Sequence, residues 1–411
     1  MHIFQEGIRM KVAILGLGTV GSGVLKVIQE NQTHIHEQIG EPMEVTHVFG
    51  ETLLNLHNCD LSEIKHVKTI DALLDEEFDV AVEVLGGIEF TYDVHKKLLN
   101  KGVHVVSANK DMLALHIDEL AEIANENQVQ LSYEATSAGG VPIIHNLLYT
   151  LRANKLSRVL GILNGTTNYI LTKMTQEGMD FDQALEEASQ KGYAEADPTN
   201  DVDGFDAQRK ITLLSRLAYN RRLTIEEVPV QGIREVAVED IDIGLQHGYV
   251  MKLLGLSEFD GEHLEISVQP TFLPENHQLA AVHDAMNAVF VNGNAVGETM
   301  FYGPGAGSLE TASAIVADII EIAQFGYKGN LTPNEEAKIT DTFTEHPYYV
   351  RFNDSADQAK KVLDELNILY EAFEGNHAFA VQTVPLNNEE KEVLLEKAEV
   401  GAIYRITREG K

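Results

Sequence analysis

The sequence predicts an α/β protein: a doubly wound parallel sheet first, a mixed α/β domain next, and a smaller βαββαβ unit at the end. Three observations carry this. Apolar strand runs alternate with helix-like segments over residues 10–136, the order that builds parallel sheets. A glycine-rich turn, Gly16-Leu17-Gly18-Thr19-Val20-Gly21, separates the first run from the first helical segment. Residues 347–411 read strand, helix, strand, strand, helix, strand, which is the ferredoxin-like order.

In the first part, KVAILGLG reads as a buried strand and TVGSGVLKVIQENQ as an amphipathic helix. MEVTHVF, DVAVEV, HVVSA and QLSYEA are further strand runs, with TYDVHKKLLNKG and IDELAEIANEN as helices between them. After about residue 145 the texture changes. SRVLGIL is a strand, followed by helices over 166–175, through FDQALEEASQKG, and over 203–219. YVMKLLGLSEF and HLEISVQPTF flank Asp260-Gly261 as a β-hairpin. AVFVNGN and GETMFYG are strands, and SLETASAIVADIIEIAQF is a helix. The expectation for this middle part is one sheet with helices on one face. The resulting division is 1–145 for nucleotide binding (completed by about 303–328), 146–330 for substrate and dimerisation, and 347–411 for the last unit.

A chain of 411 residues exceeds one ordinary core. Its net charge of −33 argues against nucleic acid or an anionic membrane as partner, because phosphates are repelled overall. Cys59 is the only cysteine, so no intrachain disulfide can form, as suits a reducing cytoplasm. The N-terminal MHIFQEGIRM lacks a secretory apolar segment, and no run approaches the ~18 apolar residues of a membrane span. The expectation is a cytoplasmic protein.

The glycine-rich turn has the spacing of a dinucleotide fingerprint. Its first glycine allows the turn, its second admits a pyrophosphate, and its third lets helix and strand pack closely. That makes the first sheet Rossmann-type, with Gly16 to Gly21 as cofactor-binding residues. The second strand ends at Glu51 with no Arg or Lys within several residues. An acidic side chain there suits the free ribose hydroxyl of NAD, whereas NADP favours a cation. The cofactor reading is NADP or NAD, leaning to NAD, with an ordinary loop Glu51 as the alternative.

Ser107-Ala108-Asn109-Lys110 falls at the carboxyl end of a strand, where open α/β sheets bind ligands. Ser107 and Lys110 are candidates there. Gly305 and Ala306, in GPGAG ahead of the long helix, offer bare backbone for a phosphate or a flat ring. Asp206 and Lys210 share one helix face at i and i+4, so carboxylate and ammonium can touch. Alone, that pair reads equally as a surface ion pair. The loop from Glu134 to Val141 exposes carbonyls beside one carboxylate, which fits either a tight turn or a hard cation. The 16 histidines show no paired metal-ligand spacing.

Taken together, ILGLGTVG, SANK, YEATSAGGVPII, GILNGTTNYI, GYAEADPTNDVDGFDAQRK and GPGAGSLETASA resemble homoserine dehydrogenase over residues 10–330. The resemblance implies reversible interconversion of aspartate 4-semialdehyde and homoserine with NAD(P), on the route to threonine, methionine and isoleucine. It makes Lys210 the catalytic lysine beside Asp206, Glu195 a substrate-binding residue, and Asp201 an acidic residue of the same cleft. Lys110 becomes catalytic and substrate-binding. Glu134, Ser137, Gly139 and Val141 match a sodium-type monovalent cation loop, the last three through carbonyls. It also implies a homodimer or homotetramer. Two departures stand out: Glu310 replaces a proline common in relatives, and residues 347–411 resemble an ACT domain only in element order. Asn353-Asp354-Ser355-Ala356-Asp357 lacks the glycine of the ACT ligand loop, which disfavours threonine sensing and leaves subunit pairing. The competing readings are a dehydrogenase for another small amino-aldehyde or keto acid, and a cofactor-binding sensor without turnover.

Overall fold

A computed structural model describes residues 9–340, 344–373 and 379–407. The N-terminal octapeptide, on which the reading of a missing secretory segment largely rests, lies outside the described residues. So do 341–343 of the segment before the last unit, and the turn-side ends of two of that unit's predicted strands.

The first elements are β1 (Met10–Leu15), α1 (Thr19–Glu30), α2 (Gln32–Ile39), β2 (Met43–Phe49), β3 (Lys65–Val67), α3 (Ile70–Leu74), β4 (Val80–Glu83), α4 (Glu89–Asn100), β5 (His104–Ser107), α5 (Lys110–Glu126) and β6 (Leu131–Ser132). Their strands form one sheet in the order β3-β2-β1-β4-β5-β6, every pair parallel. This is the doubly wound dinucleotide-binding order, whose switch point lies at β1/β4. Continuous apolar runs make this possible: Val12, Ile14, Val80 and Val82 are fully buried, as strands covered on both faces must be.

Then follow β7 (Leu156–Ile162), α6 (Gly165–Glu177), α7 (Phe181–Gln190), α8 (Thr199–Val202), α9 (Phe205–Tyr219), α10 (Val238–Gln246), β8 (Tyr249–Phe259), β9 (His263–Pro274), β10 (Met286–Gly293), β11 (Gly297–Pro304), α11 (Ser308–Phe325) and β12 (Lys338–Ile339). The chain ends with β13 (Tyr348–Phe352), α12 (Ala356–Glu365), β14 (Tyr370–Phe373), β15 (Phe379–Thr383), α13 (Asn388–Lys397) and β16 (Val400–Ile406).

Two compact units result. Met1–Arg152, Arg216–Ile225 and Pro304–Glu336 make the first; Ala153–Ser215, Glu226–Gly303 and Ala337–Lys411 make the second. In the first, α11 returns against α1, and Gly23 is what permits the approach: a Cβ there would stand 2.5 Å from the Ser308 carbonyl oxygen. The second unit holds a ten-stranded sheet along the path β11-β10-β7-β8-β9-β16-β13-β15-β14, with β12 beside β9. The C-terminal strands thus stand in the ferredoxin-like order and extend the same sheet, β16 pairing in parallel with β9.

Three expectations need correction. Only Leu131–Ser132 of QLSYEA is strand, because Glu134 already lies in a 3₁₀ turn (Glu134–Thr136). The helix expected over 203–219 starts at Phe205, because Gly204 takes φ +86° and breaks it from α8. Asp201 and Asp206 therefore sit on different helices. Helices also cover both faces of the second sheet. Lys252 of β8 meets Asn168 of α6, whereas Ser257, five residues on and facing the other way, meets Ser215 of α9. The reason is α9 itself, which buries every residue from Lys210 to Leu217, polar Thr212, Ser215 and Arg216 included, and so cannot lie on an open surface.

Candidate active site

The glycine-rich turn behaves as its spacing demands. Gly16 takes φ +101°, and a Cβ on Gly21 would lie 1.9 Å from the Gly16 carbonyl oxygen, so neither tolerates a side chain. A Cβ on Gly18 meets nothing within 4 Å. That open glycine caps α1 with no side-chain hydrogen bond, leaving the helix N-terminus for an anion. Leu17 is buried in the core, so only its backbone faces the turn. Ser308 donates its hydroxyl to the Thr19 carbonyl at 2.5 Å, which ties the start of α11 to the start of α1, with Gly305 and Ala306 three and two residues ahead of it in the chain.

Ser107 and Lys110 lie at the carboxyl end of β5, on the ligand side of the sheet. Ser107 is fully buried; its hydroxyl donates to Glu83 Oε2 at 3.0 Å and accepts from the Asn109 N–H at 3.0 Å. Asn109 caps α5 by accepting from the Met112 N–H, and its amide donates to the Gly87 carbonyl at 2.7 Å. Half-buried Lys110 is the first residue of that pinned helix. Sequence reading passed over Glu83. It is wholly buried, burial raises its pKa, and buried His95, lowered to about 3, sits 3.6 Å away.

Glu51 is exposed just after Gly50, at the end of β2. β3 runs parallel to β2 with Phe49 beside Val67, so exposed Lys68 follows at the level of Gly50. A search along β2 alone could not find a cation delivered by the next strand.

The Glu134–Val141 loop belongs to the first unit. The Glu134 carboxylate accepts three backbone N–H bonds: Oε1 from Ile143 (2.6 Å) and Ile144 (2.9 Å), Oε2 from His145 (2.6 Å). Burial nevertheless raises its pKa. Ala138 and Gly139 both take positive φ, at 58° and 53°. Gly139 also presses on the Gly305 backbone, where a Cβ would stand 2.3 Å from the carbonyl oxygen. Ser137 is fully buried with its hydroxyl unpartnered. Among the described residues no cluster of three His, Cys, Asp or Glu could hold a metal. A cation here would therefore need the carbonyl and hydroxyl oxygens that suit a hard monovalent ion.

In the second unit, Lys210 Nζ donates to Asp206 Oδ2 and to the Leu163 carbonyl, each at 2.7 Å. The Asn164 amide nitrogen donates to Asp206 Oδ2 at 2.9 Å and to Asp201 Oδ1 at 2.7 Å. Three sequence-predicted residues thus meet around the Leu163-Asn164 backbone. Glu195 lies exposed in the loop between α7 and α8, where the Thr166 hydroxyl holds the Tyr193 carbonyl at 2.6 Å. The arrangement presents a fixed, partly neutralised ammonium and an acidic surround, as carbonyl reduction in an amino-acid substrate requires.

The family profile described as homoserine dehydrogenase matches residues 142–320, and that of its NAD binding domain matches residues 16–134. A homoserine dehydrogenase of Bacillus subtilis is 44% identical over 325 residues, 78% of this chain and 75% of that protein. The crystal structure of one from Thiobacillus denitrificans superposes with a TM-score of 0.91 at 32% identity, covering 98% of this chain and 99% of that one. A hyperthermophilic archaeal homoserine dehydrogenase in complex with NADPH gives 0.66 at 28% identity, covering 78% and 99%. No described helix is long and apolar enough to cross a membrane. The chain belongs to the homoserine dehydrogenase family, the NAD(P)-dependent oxidoreductases that interconvert aspartate 4-semialdehyde and homoserine.

Proposed function

We propose that Lys210 is the general acid of aldehyde reduction and the base of the reverse reaction. The observation that carries this is its ammonium, held at 2.7 Å by both Asp206 and the Leu163 carbonyl. The bound nicotinamide cofactor supplies or accepts the hydride at the substrate carbon. As charge develops on the carbonyl oxygen, Lys210 gives it a proton, while Asp206 and Asp201 orient the ammonium. Lys110 assists at the reacting oxygen or holds the substrate carboxylate, and Glu195 holds the substrate ammonium. The test is homoserine-dependent reduction of NAD and NADP, followed by absorbance. Turnover that 4-hydroxybutyrate cannot replace supports the amine contact; no turnover in a folded sample that binds cofactor contradicts the reading.

For the cofactor, Gly16, Gly18 and the start of α1 receive the pyrophosphate, and Gly305 and Ala306 close on it. Glu51 favours the NAD hydroxyl, and Lys68 supplies a cation for the NADP phosphate. The chain is therefore expected to use both, the NAD preference that Glu51 favours being offset by Lys68. Its check is the NADP-to-NAD ratio of kcat/KM, which should fall in Lys68→Ala and rise in Glu51→Ala.

A sodium-type cation would bind the oxygens of Ser137, Gly139 and Val141, supported by the buried, unpartnered Ser137 hydroxyl. Glu134 would contribute through its carbonyl, because its carboxylate is committed to backbone N–H groups. The chain pairs as a homodimer or homotetramer, supported by end strand β11, where Met300 and Tyr302 are 39% and 54% exposed. Light scattering on wild type and Tyr302→Glu tests this.

A further inference from the structure

We infer that Asn164 is the positioning residue that brings Asp201 and Asp206 to bear on Lys210, a role that rests on the assignment of Lys210 as the acid. Asp201 lies on α8 and Asp206 on α9, and Gly204 at φ +86° turns the backbone between them. Helix geometry therefore does not fix one carboxylate relative to the other. The Asn164 amide nitrogen does so, spending both its N–H groups on them at 2.7 and 2.9 Å.

The amide is itself immobile. Asn164 is 6% exposed, and its oxygen accepts the Thr167 N–H at 2.9 Å as the N-cap of α6. The preceding carbonyl, Leu163, accepts from Lys210. One dipeptide thus holds the ammonium with its backbone and both carboxylates with its side chain. Two carboxylates converging on one amide, with Asp206 also bonded to Lys210, repel each other, and a neutral double donor between them offsets that without adding charge.

A plain helix cap explains the oxygen but not the two N–H bonds, and this separates the roles. Aspartate caps helices as well as asparagine but cannot donate to two carboxylates. In Asn164→Asp NADP affinity should stay near wild type while the melting temperature falls, because a third carboxylate joins Asp201 and Asp206; in the uncharged Asn164→Ser both should stay near wild type. The kcat for homoserine oxidation should fall by at least about 10-fold, the scale of misplaced catalytic groups, with a smaller change in KM for the cofactor. Asn164→Ser, a cap with a single donor, carries the same readouts should Asn164→Asp fail to fold. The inference is overturned if a folded Asn164→Asp or Asn164→Ser variant keeps kcat within about twofold while Lys210→Ala abolishes it. If Lys210→Ala itself keeps turnover, the underlying assignment fails instead.

Discussion

Lys210 and Asp206 stand one turn apart on α9 with Nζ and Oδ2 at 2.7 Å, and their side chains are only 11% and 9% exposed. An i,i+4 pair on a surface contributes little, and a buried pair is costly unless its remaining valences are filled. Here the Leu163 carbonyl and the Asn164 amide fill them. Asp206→Asn keeps the shape and removes the charge. Its kcat should fall about 10- to 100-fold, within the range of acid–base contributions, with cofactor affinity unchanged. A kcat within twofold of wild type would detach Asp206 from the chemistry.

The glycines of the nucleotide turn should separate by function. Gly18→Ala adds a methyl where nothing lies within 4 Å, so the fold should survive and NAD(P) affinity should drop. Gly21→Ala drives a methyl into the Gly16 carbonyl, so stability should fall first, by the 1–3 kcal/mol typical of overpacking. Thermal melting with and without cofactor checks both; equal melting losses would contradict the distinction.

Much of this was legible because the signals are local. The Gly16–Gly21 spacing, the apolar strand runs and the i,i+4 pair each depend on residues within a few turns of one another. What escaped depends on register between distant segments. Lys68 comes level with the end of β2 only because β3 pairs with β2, and Asn164 reaches Asp206 across 42 positions. The broken start of α9 was hidden because Gly204 reads equally as a helical or a left-handed residue until the fold decides. Glu134 is a cation ligand only by family resemblance, since the residues of its loop alone fit a tight turn equally well, and the backbone N–H groups of residues 143–145 reveal what its carboxylate binds.

Lys252 should make stability depend on pH. It is 1% exposed, bonded to Asn168 and the Val282 carbonyl, and burial lowers its pKa to about 7 against an opposing pull from Asp284. Above about pH 7 the unfolded chain binds a proton here that the folded chain has released, so this lysine adds stability as pH rises towards its unfolded value. The stability deficit of Lys252→Met should therefore grow from pH 6 to pH 9, by at most about 1.4 kcal/mol per unit. Denaturant titrations at the two pH values check this; a deficit that shrinks with pH would contradict it.

Asp318 works in the opposite sense. It is buried, accepts the Glu134 N–H at 3.0 Å, and burial raises its pKa well above the ordinary value. The folded chain keeps a proton that the unfolded chain loses, so its contribution is fully present below pH 4 and fades as pH rises towards the folded value. Asp318→Asn should melt higher relative to wild type at pH 8 than at pH 4. An unchanged difference would contradict a protonated Asp318.

The proton role of Lys210 is tested by the turnover of Lys210→Ala beside its NADPH affinity, with and without added methylamine. If Lys210 moves the proton, NADPH binding stays near wild type, homoserine oxidation falls on the order of 10²-fold or more, and recovery is partial and scales with free amine. Turnover near wild type without added amine would contradict it.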